Sequence, residues 1–268
     1  MDPRIEVIDK RLKDVKRIIA VAGGKGGIGK SSVASTLALI LSKMGHKVGL
    51  FDLDFSGPSS HIILGIKDYE FPKEDKGIVP SEYYGIKFLS IISFSEENPS
   101  PLRGIDISNA VIELLAITQW GSLDYLIIDM PPGIGDATLD IIRIIKRAEF
   151  IVITTPSKLS IQTVKKSLQL LLELKVPIIG VIENMLDRSV YPNSPFVVLR
   201  RTGKSRKFTK SLSIKEQVKA FNIPFLGEIY FDKDFEDSIG NVNKLYNTSF
   251  AQSLKRIVLK ILQNYPTK

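Results

Sequence analysis

Short apolar runs alternate along the chain with longer stretches in which apolar residues recur every three or four positions. The runs predict buried strands, and the longer stretches predict amphipathic helices. Strands are predicted at 18–22, 47–51, 86–92, 125–129, 150–154, 178–182 and 225–228, and helices at 30–44, 107–119, 136–147, 161–174, 214–221 and 248–263. Because each helix carries the chain back to the same edge of the sheet, neighbouring strands are expected to be parallel. The pattern predicts an α/β fold: a single three-layer domain with a mostly parallel sheet covered by helices on both faces.

Three segments lie outside this alternation. Residues 1–17 are rich in charge with scattered apolar positions, which predicts a short amphipathic helix packed on a domain that occupies 18–268. Segments 67–85 and 187–213 fit neither period and are predicted to be excursions from the domain. No internal repeat or long linker divides the chain, so one domain is expected.

A glycine-rich loop follows the first predicted strand. The pattern G-x-x-x-x-G-K-[ST] is matched by Gly24, Lys25, Gly26, Gly27, Ile28, Gly29, Lys30 and Ser31. Glycines allow such a loop to curl so that successive N–H groups point at phosphates, and the helix that starts at Lys30 adds its positive end. Lys30 is expected to reach the β- and γ-phosphates, and the Ser31 hydroxyl is expected to ligate magnesium. We predict that this loop, together with Ser32, binds ATP with Mg²⁺ in a P-loop NTPase domain.

Carboxylates follow two of the predicted strands. Asp52 and Asp54 come after one strand and, two residues apart on an extended chain, point the same way. One of them can support magnesium while the other holds the attacking water. The alternative is that the two acids cap a turn before Ser56, Gly57 and Pro58. Asp129 ends another apolar run, and it is expected to bind magnesium through water. Since the carboxyl ends of parallel strands border the ligand crevice, these acids are predicted to complete the nucleotide site.

Composition excludes several kinds of chemistry. The chain has no cysteine, so disulfides, cysteine nucleophiles and iron–sulfur or other metal sites built on its own thiolates are excluded. Its two histidines, His46 and His61, argue against a zinc site. Apolar runs are too short to span a bilayer and no signal peptide is recognised at the start, so a cytoplasmic location is expected.

The net charge is +8, from 37 basic and 29 acidic residues. The excess is concentrated in one turn-rich segment that contains Arg200, Arg201, Lys204, Arg206, Lys207 and Lys210. A basic run of this kind can contact nucleic-acid phosphates, or it can be a solvated loop. The last predicted helix has an apolar stripe opposite basic residues, and packing on the sheet is favoured over binding to an anionic membrane.

Five motifs together resemble a known family. They read AGGKGGIGKS at 22–31, DLDFSGPS at 52–59, LDYLIIDMPPGIGD at 123–136, GVIENM at 180–185 and IPFLGEI at 223–229. The chain resembles the Mrp/ApbC branch of the MinD/ParA/Mrp class of P-loop ATPases, which share a deviant Walker A loop. Members of this branch carry and insert iron–sulfur clusters. The resemblance covers nearly the whole chain.

The resemblance implies roles for individual residues. Lys25, the extra lysine in the loop, would reach across a homodimer to the nucleotide of the partner and act in catalysis with Lys30. Asp54 would orient or activate the attacking water, while Asp52 would serve the magnesium shell. Asn184, which is expected to follow a strand, would recognise adenine.

Two departures from the family pattern bear on function. Cluster-carrying relatives place C-x-x-C shortly after the Asn-Met pair, but here those positions hold Val190, Tyr191, Pro192 and Asn193. A W-R-G-P-M motif is replaced by the residues at 102–106. We therefore predict a slow, homodimeric Mg-ATPase that is linked to iron–sulfur assembly through a client or scaffold protein and lacks its own cluster ligands. The alternative is a ParA/MinD-like switch that binds nucleic acid or membrane in its ATP state.

Overall fold

The computed structural model describes residues 2–67, 72–91, 105–187 and 213–264. Its strands are β1 (Val15–Gly23), β2 (Val48–Asp52), β3 (Lys73–Glu74), β4 (Ile78–Val79), β5 (Ser81–Tyr83), β6 (Ile86–Ser90), β7 (Leu123–Asp129), β8 (Glu149–Thr154), β9 (Ile178–Leu186) and β10 (Phe225–Tyr230). Its helices are α1 (Arg4–Leu12), α2 (Lys30–Lys43), α3 (Ser60–Leu64), α4 (Ile105–Ile117), α5 (Asp136–Ile144), α6 (Lys158–Glu173), α7 (Ile214–Lys219), α8 (Lys233–Ser238), α9 (Val242–Asn247) and α10 (Ser249–Asn264).

Within these ranges, eight strands form one sheet in the order β10-β9-β8-β1-β7-β2-β6-β5. All neighbouring pairs are parallel except β5 with β6, which are antiparallel at one edge. Side chains of α1, α4, α5, α6 and α7 pack on one face, and side chains of α2, α3, α8, α9 and α10 pack on the other. The predicted three-layer α/β fold is therefore confirmed.

Strand β1 lies at the centre of the sheet and brings the phosphate loop to its carboxyl edge. Its side chains alternate between the two cores: Ile18 and Ala20 face one layer of helices, and Ile19 and Val21 face the other. Burial on both faces explains why the strand is a continuous apolar run rather than an alternating one. Since β7 and β8 flank β1, acids at the end of β7 lie next to the loop.

Several predicted boundaries are corrected by the structure. Strand β1 begins at Val15 and not at residue 18, because Val15 and Arg17 already pair with β7 while the first helix ends at Leu12. Part of the predicted excursion 67–85 lies in the sheet as β5, and another part forms the β3–β4 hairpin. Of the predicted excursion 187–213, only the two end residues are among the described residues.

The two terminal helices are packed against the domain. On α1, Ile8 and Leu12 are buried in the core cluster that also contains α4. Helix α10 buries its apolar stripe against β10 and α2, with Phe250, Leu254 and Ile257 in the opposite core. This stripe is therefore not available to a membrane surface. In the described part of the chain, no helix combines the length and apolar character needed to cross a bilayer.

Candidate nucleotide-binding site

The phosphate loop connects the carboxyl end of β1 to the start of α2. Two of its glycines, Gly27 and Gly29, have φ values of 71° and 81°, which residues with a Cβ rarely adopt. Gly29 directly precedes the first helical residue, Lys30. The first N–H groups of a helix lack partners within it, and together with the helix dipole they attract anions. The loop therefore needs glycine at these two positions and leads directly into a helix N-terminus, while its binding of phosphate stays a prediction.

Close packing holds the loop on one side and leaves the other side open. A Cβ at Gly24 would lie only 2.6 Å from Cγ2 of Thr163 on α6. The N–H of Gly133, in the turn after β7, donates to the carbonyl of Gly23 at 2.9 Å. In contrast, a Cβ at Gly27 would meet nothing within 4 Å. The open side around Gly27 offers the space in which a triphosphate can lie.

Lys30 carries a buried positive charge beside the acids at the ends of β2 and β7. The residue is 5% exposed, and its Nζ donates to the carbonyl of Lys25 at 3.5 Å. Burial lowers the pKa of Lys30, while the carboxylates of Asp129 and Asp54 raise it. Because a buried ammonium is costly unless it is paired, this environment favours an anionic ligand next to Lys30.

Two fully buried carboxylates face each other at the ends of neighbouring strands. Asp52 on β2 and Asp129 on β7 are register partners, and each is 0% exposed. Asp52 accepts hydrogen bonds at 3.1 Å from the N–H groups of Asp54 and Ser60. Burial raises the pKa of both carboxyls. The negative charge of Asp54 raises the pKa of Asp52 further, and the charge of Asp52 raises the pKa of Asp129. Bringing two acids together in a dry site requires a cation or a shared proton.

This pair fits a magnesium ion. Oδ1 of Asp129 is buried and has no hydrogen-bond partner within the described residues. The Ser31 hydroxyl and the Lys30 charge lower the pKa of Asp129, so the predicted metal residues Ser31, Asp52 and Asp129 lie together. The described ranges contain no group of three His, Cys, Asp or Glu side chains suited to a metal. Phosphate oxygens and water would therefore supply the remaining ligands, as is usual for Mg²⁺.

Asp54 is half-buried at the edge of the acid pair. Its Oδ1 accepts hydrogen bonds from the N–H of Ser56 at 3.1 Å and from the Ser56 hydroxyl at 2.7 Å. The capping of this turn, which the sequence offered as an alternative, is therefore present. Asp54 also raises the pKa of both Asp52 and Asp129, so its negative charge acts on both buried carboxyls. Its role toward water stays a prediction.

Asn184 lies inside β9, and the expectation that it follows a strand is wrong because β9 continues to Leu186. Its side chain is 2% exposed, and Nδ2 donates to the carbonyl of Ile28 at 2.9 Å. A Cβ at Gly29 would lie 2.4 Å from the same Nδ2. The contact seen here anchors the phosphate loop to β9, and adenine recognition by Asn184 stays a prediction.

The remaining predicted residues differ in exposure. Lys25, Gly26 and Gly27 are exposed, whereas Ser31 and Ser32 are partly exposed at the start of α2. Lys25 makes no ion pair with any described residue, and its action across a dimer stays a prediction. The segments at 102–104 and 190–193, and the basic run from Arg200 to Lys210, lie outside the described residues.

Sequence reasoning missed Ser60. This serine is fully buried, and its hydroxyl donates to Oδ2 of Asp129 at 3.2 Å. It follows the GPS triplet at 57–59, but nothing in the hydrophobic pattern separates it from an ordinary helix-starting serine. Only the folded chain brings it to an acid 69 positions away.

Comparisons with known proteins identify the family of this chain. A family model described as ParA, NUBPL iron-transfer P-loop NTPase, matches residues 14–265. The iron–sulfur cluster carrier protein of Methanocaldococcus jannaschii is 35% identical over 269 residues, which is 97% of this chain and 89% of that protein. The carrier of Aquifex aeolicus is 38% identical over 84% of this chain. The alignments span only 60% and 62% of the carriers of Aquifex aeolicus and Pseudomonas fragi.

Solved structures show the same fold. The nucleotide-binding protein of Archaeoglobus fulgidus, solved in complex with ADP, has a TM-score of 0.69 and 30% identity. That alignment covers 91% of this chain and 93% of that one. MinD of Pyrococcus horikoshii, solved with Mg-ADP, has a TM-score of 0.64 at 18% identity, a likeness that concerns the fold alone.

Proposed function

Because this chain belongs to the ParA family of NUBPL iron-transfer P-loop NTPases, we propose that it binds and slowly hydrolyses Mg-ATP as a homodimer in support of iron–sulfur cluster assembly. The observation that carries the proposal is the buried pair Asp52 and Asp129 beside the buried Lys30. All three groups are withdrawn from water, and a bound magnesium–triphosphate complex would give each an opposite charge, with the metal ion beside the two acids and the phosphates beside the lysine.

Each residue then has a chemical task. Lys30 and the N–H groups of the loop hold the β- and γ-phosphates, and Ser31, Asp52 and Asp129 hold the metal directly or through water. Bound Mg²⁺ offsets charge on the phosphate oxygens. Asp54 orients a water molecule whose oxygen forms a bond to the γ-phosphorus. The bond from that phosphorus to the bridging oxygen of ADP breaks, and the proton of the water passes to Asp54 or to phosphate.

Dimerisation would add a second lysine beside the phosphates. Lys25 is exposed on the open side of the loop and is free of ion pairs among the described residues. From a second copy of the chain, its ammonium can approach the β–γ bridge, where negative charge develops during transfer. The expected consequence is that ATP, and not ADP, favours the dimer.

The link to iron–sulfur chemistry rests on relatives that are named as cluster carrier proteins. Without cysteine, this chain cannot supply thiolate ligands, so a partner protein would hold the cluster while this chain supplies the nucleotide cycle. Anaerobic reconstitution with iron and sulfide should leave the purified chain colourless. Stable visible absorption by the chain alone would contradict this assignment.

The catalytic assignment is tested with Asp54→Ala. The variant should bind Mg-ATP with the affinity of the unmodified chain, lose turnover, and accumulate as an ATP-bound dimer in light scattering. The matched control is Ser56→Ala, which removes the hydroxyl contact of the turn but keeps the carboxylate of Asp54. Normal hydrolysis by Asp54→Ala, or an equal loss in Ser56→Ala, would refute a role of this carboxylate in chemistry.

A further inference from the structure

Ser60 contacts both buried acids of the candidate magnesium site. It is the first residue of α3, and it is 0% exposed. Its N–H donates to Oδ2 of Asp52 at 3.1 Å, and its hydroxyl donates to Oδ2 of Asp129 at 3.2 Å. One residue therefore links the end of β2 to the end of β7 by a backbone bond and a side-chain bond.

The two carboxylates differ in how many of their oxygens accept hydrogen bonds. Both oxygens of Asp52 accept hydrogen bonds, one from the N–H of Asp54 and one from the N–H of Ser60. Asp129 accepts the Ser60 hydroxyl at Oδ2 and is also influenced by the Ser31 hydroxyl, whereas its buried Oδ1 has no hydrogen-bond partner among the described residues. Of the four oxygens, Oδ1 of Asp129 is thus the one that remains available to a metal ion or to its bound water.

We propose that Ser60 is a positioning residue for magnesium, whose hydroxyl holds Asp129 so that Oδ1 is presented to the metal. This inference rests on the proposed nucleotide site. The hydroxyl fixes one carboxylate rotamer before the metal arrives, so less conformational entropy is lost on binding. Groups that orient metal ligands in this way commonly change metal affinity by roughly 10- to 100-fold when they are removed.

The test is the magnesium dependence of nucleotide binding by the full chain. A fluorescent ATP analogue is held at a fixed concentration while Mg²⁺ is titrated, and its affinity is also measured in EDTA. Ser60→Ala removes the hydroxyl and keeps the backbone bond to Asp52. We expect the half-saturating Mg²⁺ concentration to rise roughly tenfold, with the affinity in EDTA unchanged. A second variant, Ser60→Cys, fills the same space with a weak donor and should also raise the midpoint.

The matched control is Ser35→Ala on α2. Ser35 is equally buried, and its hydroxyl has no hydrogen-bond partner in the described ranges, so the magnesium midpoint should not move. Unchanged midpoints in both Ser60 variants, while the unmodified chain binds Mg-ATP, would overturn the role of Ser60 alone. Equal losses with magnesium and in EDTA would also overturn it, since they indicate general damage. An unmodified chain that binds no nucleotide would overturn the proposed function as well.

Discussion

Replacing Gly29 by alanine would test whether the phosphate loop is held by β9. Gly29 has a φ of 81°, and a Cβ added there would lie 2.4 Å from Nδ2 of Asn184. No real Cβ tolerates such a distance, so the Asn184 side chain has to move. Moving it breaks its hydrogen bond to the carbonyl of Ile28. The substitution therefore imposes backbone strain and removes the anchor of the loop.

The size of the effect follows from these two terms. A left-handed conformation costs a residue with a Cβ about 1–2 kcal/mol. Loss of the buried hydrogen bond of Asn184 adds about 1 kcal/mol. We expect Gly29→Ala to lower the free energy of unfolding by about 2–3 kcal/mol, which corresponds to a fall in melting temperature of roughly 4–12 °C for a chain of this size.

Gly27→Ala is the matched control. Its φ is 71°, but a Cβ there would meet nothing within 4 Å, so only the strain term applies. In urea unfolding without nucleotide, the free energy of unfolding of Gly27→Ala should be about 1 kcal/mol higher than that of Gly29→Ala. In an Asn184→Ala background the contact is already absent, and Gly29→Ala should then cost no more than Gly27→Ala.

Equal losses for Gly27→Ala and Gly29→Ala in the unmodified background would refute the anchoring contact. So would a cost of Gly29→Ala that is the same with and without the Asn184 side chain. Binding of Mg-ATP measured on the same variants would show whether the anchor also affects the ligand, because a displaced loop presents its N–H groups differently.

Two further predictions concern the buried charges. Lys30→Met should abolish detectable Mg-ATP binding in calorimetry. Its melting temperature should be unchanged or higher, because the substitution removes a buried ammonium whose pKa is lowered by burial. A lower melting temperature would contradict this reasoning. The pKa of Asp129 is higher in the folded than in the unfolded chain, so the folded chain binds more protons in this pH range. In EDTA, the free energy of unfolding should therefore fall as pH rises from about 4 through neutrality. Asp129→Asn should flatten that fall in a series of thermal melts, and an unchanged slope would show that this acid is not responsible.

Most of the sheet could be predicted from the sequence. The predicted strands at 47–51, 125–129 and 150–154 agree with β2, β7 and β8 to within two residues, because strands buried on both faces must be apolar throughout. Short elements escaped detection. Helices α8 and α9 have six residues each, too few for a helical period to stand out. Strand β5 was missed because its exposed edge position does not require an apolar run.

The site was predictable wherever local chain geometry decides the chemistry. The glycines of the loop and the lysine that starts the helix can be recognised within eight consecutive residues of the sequence. Asn184 shows the limit of this reasoning. The resemblance implied a role in adenine recognition, but the contact with the carbonyl of Ile28 joins residues 156 positions apart and could not be deduced from spacing.

By itself the sequence determined the α/β class, the phosphate loop, the presence of acids at strand ends and the absence of thiolate ligands. Each of these depends on residue type and short-range spacing. The tertiary structure alone decided that Asp52 faces Asp129, that Ser60 bridges them, and that Asn184 supports the loop. The physical reason is that strand order and register select which distant side chains share a buried space, and only there do desolvation and hydrogen bonding act on their charge.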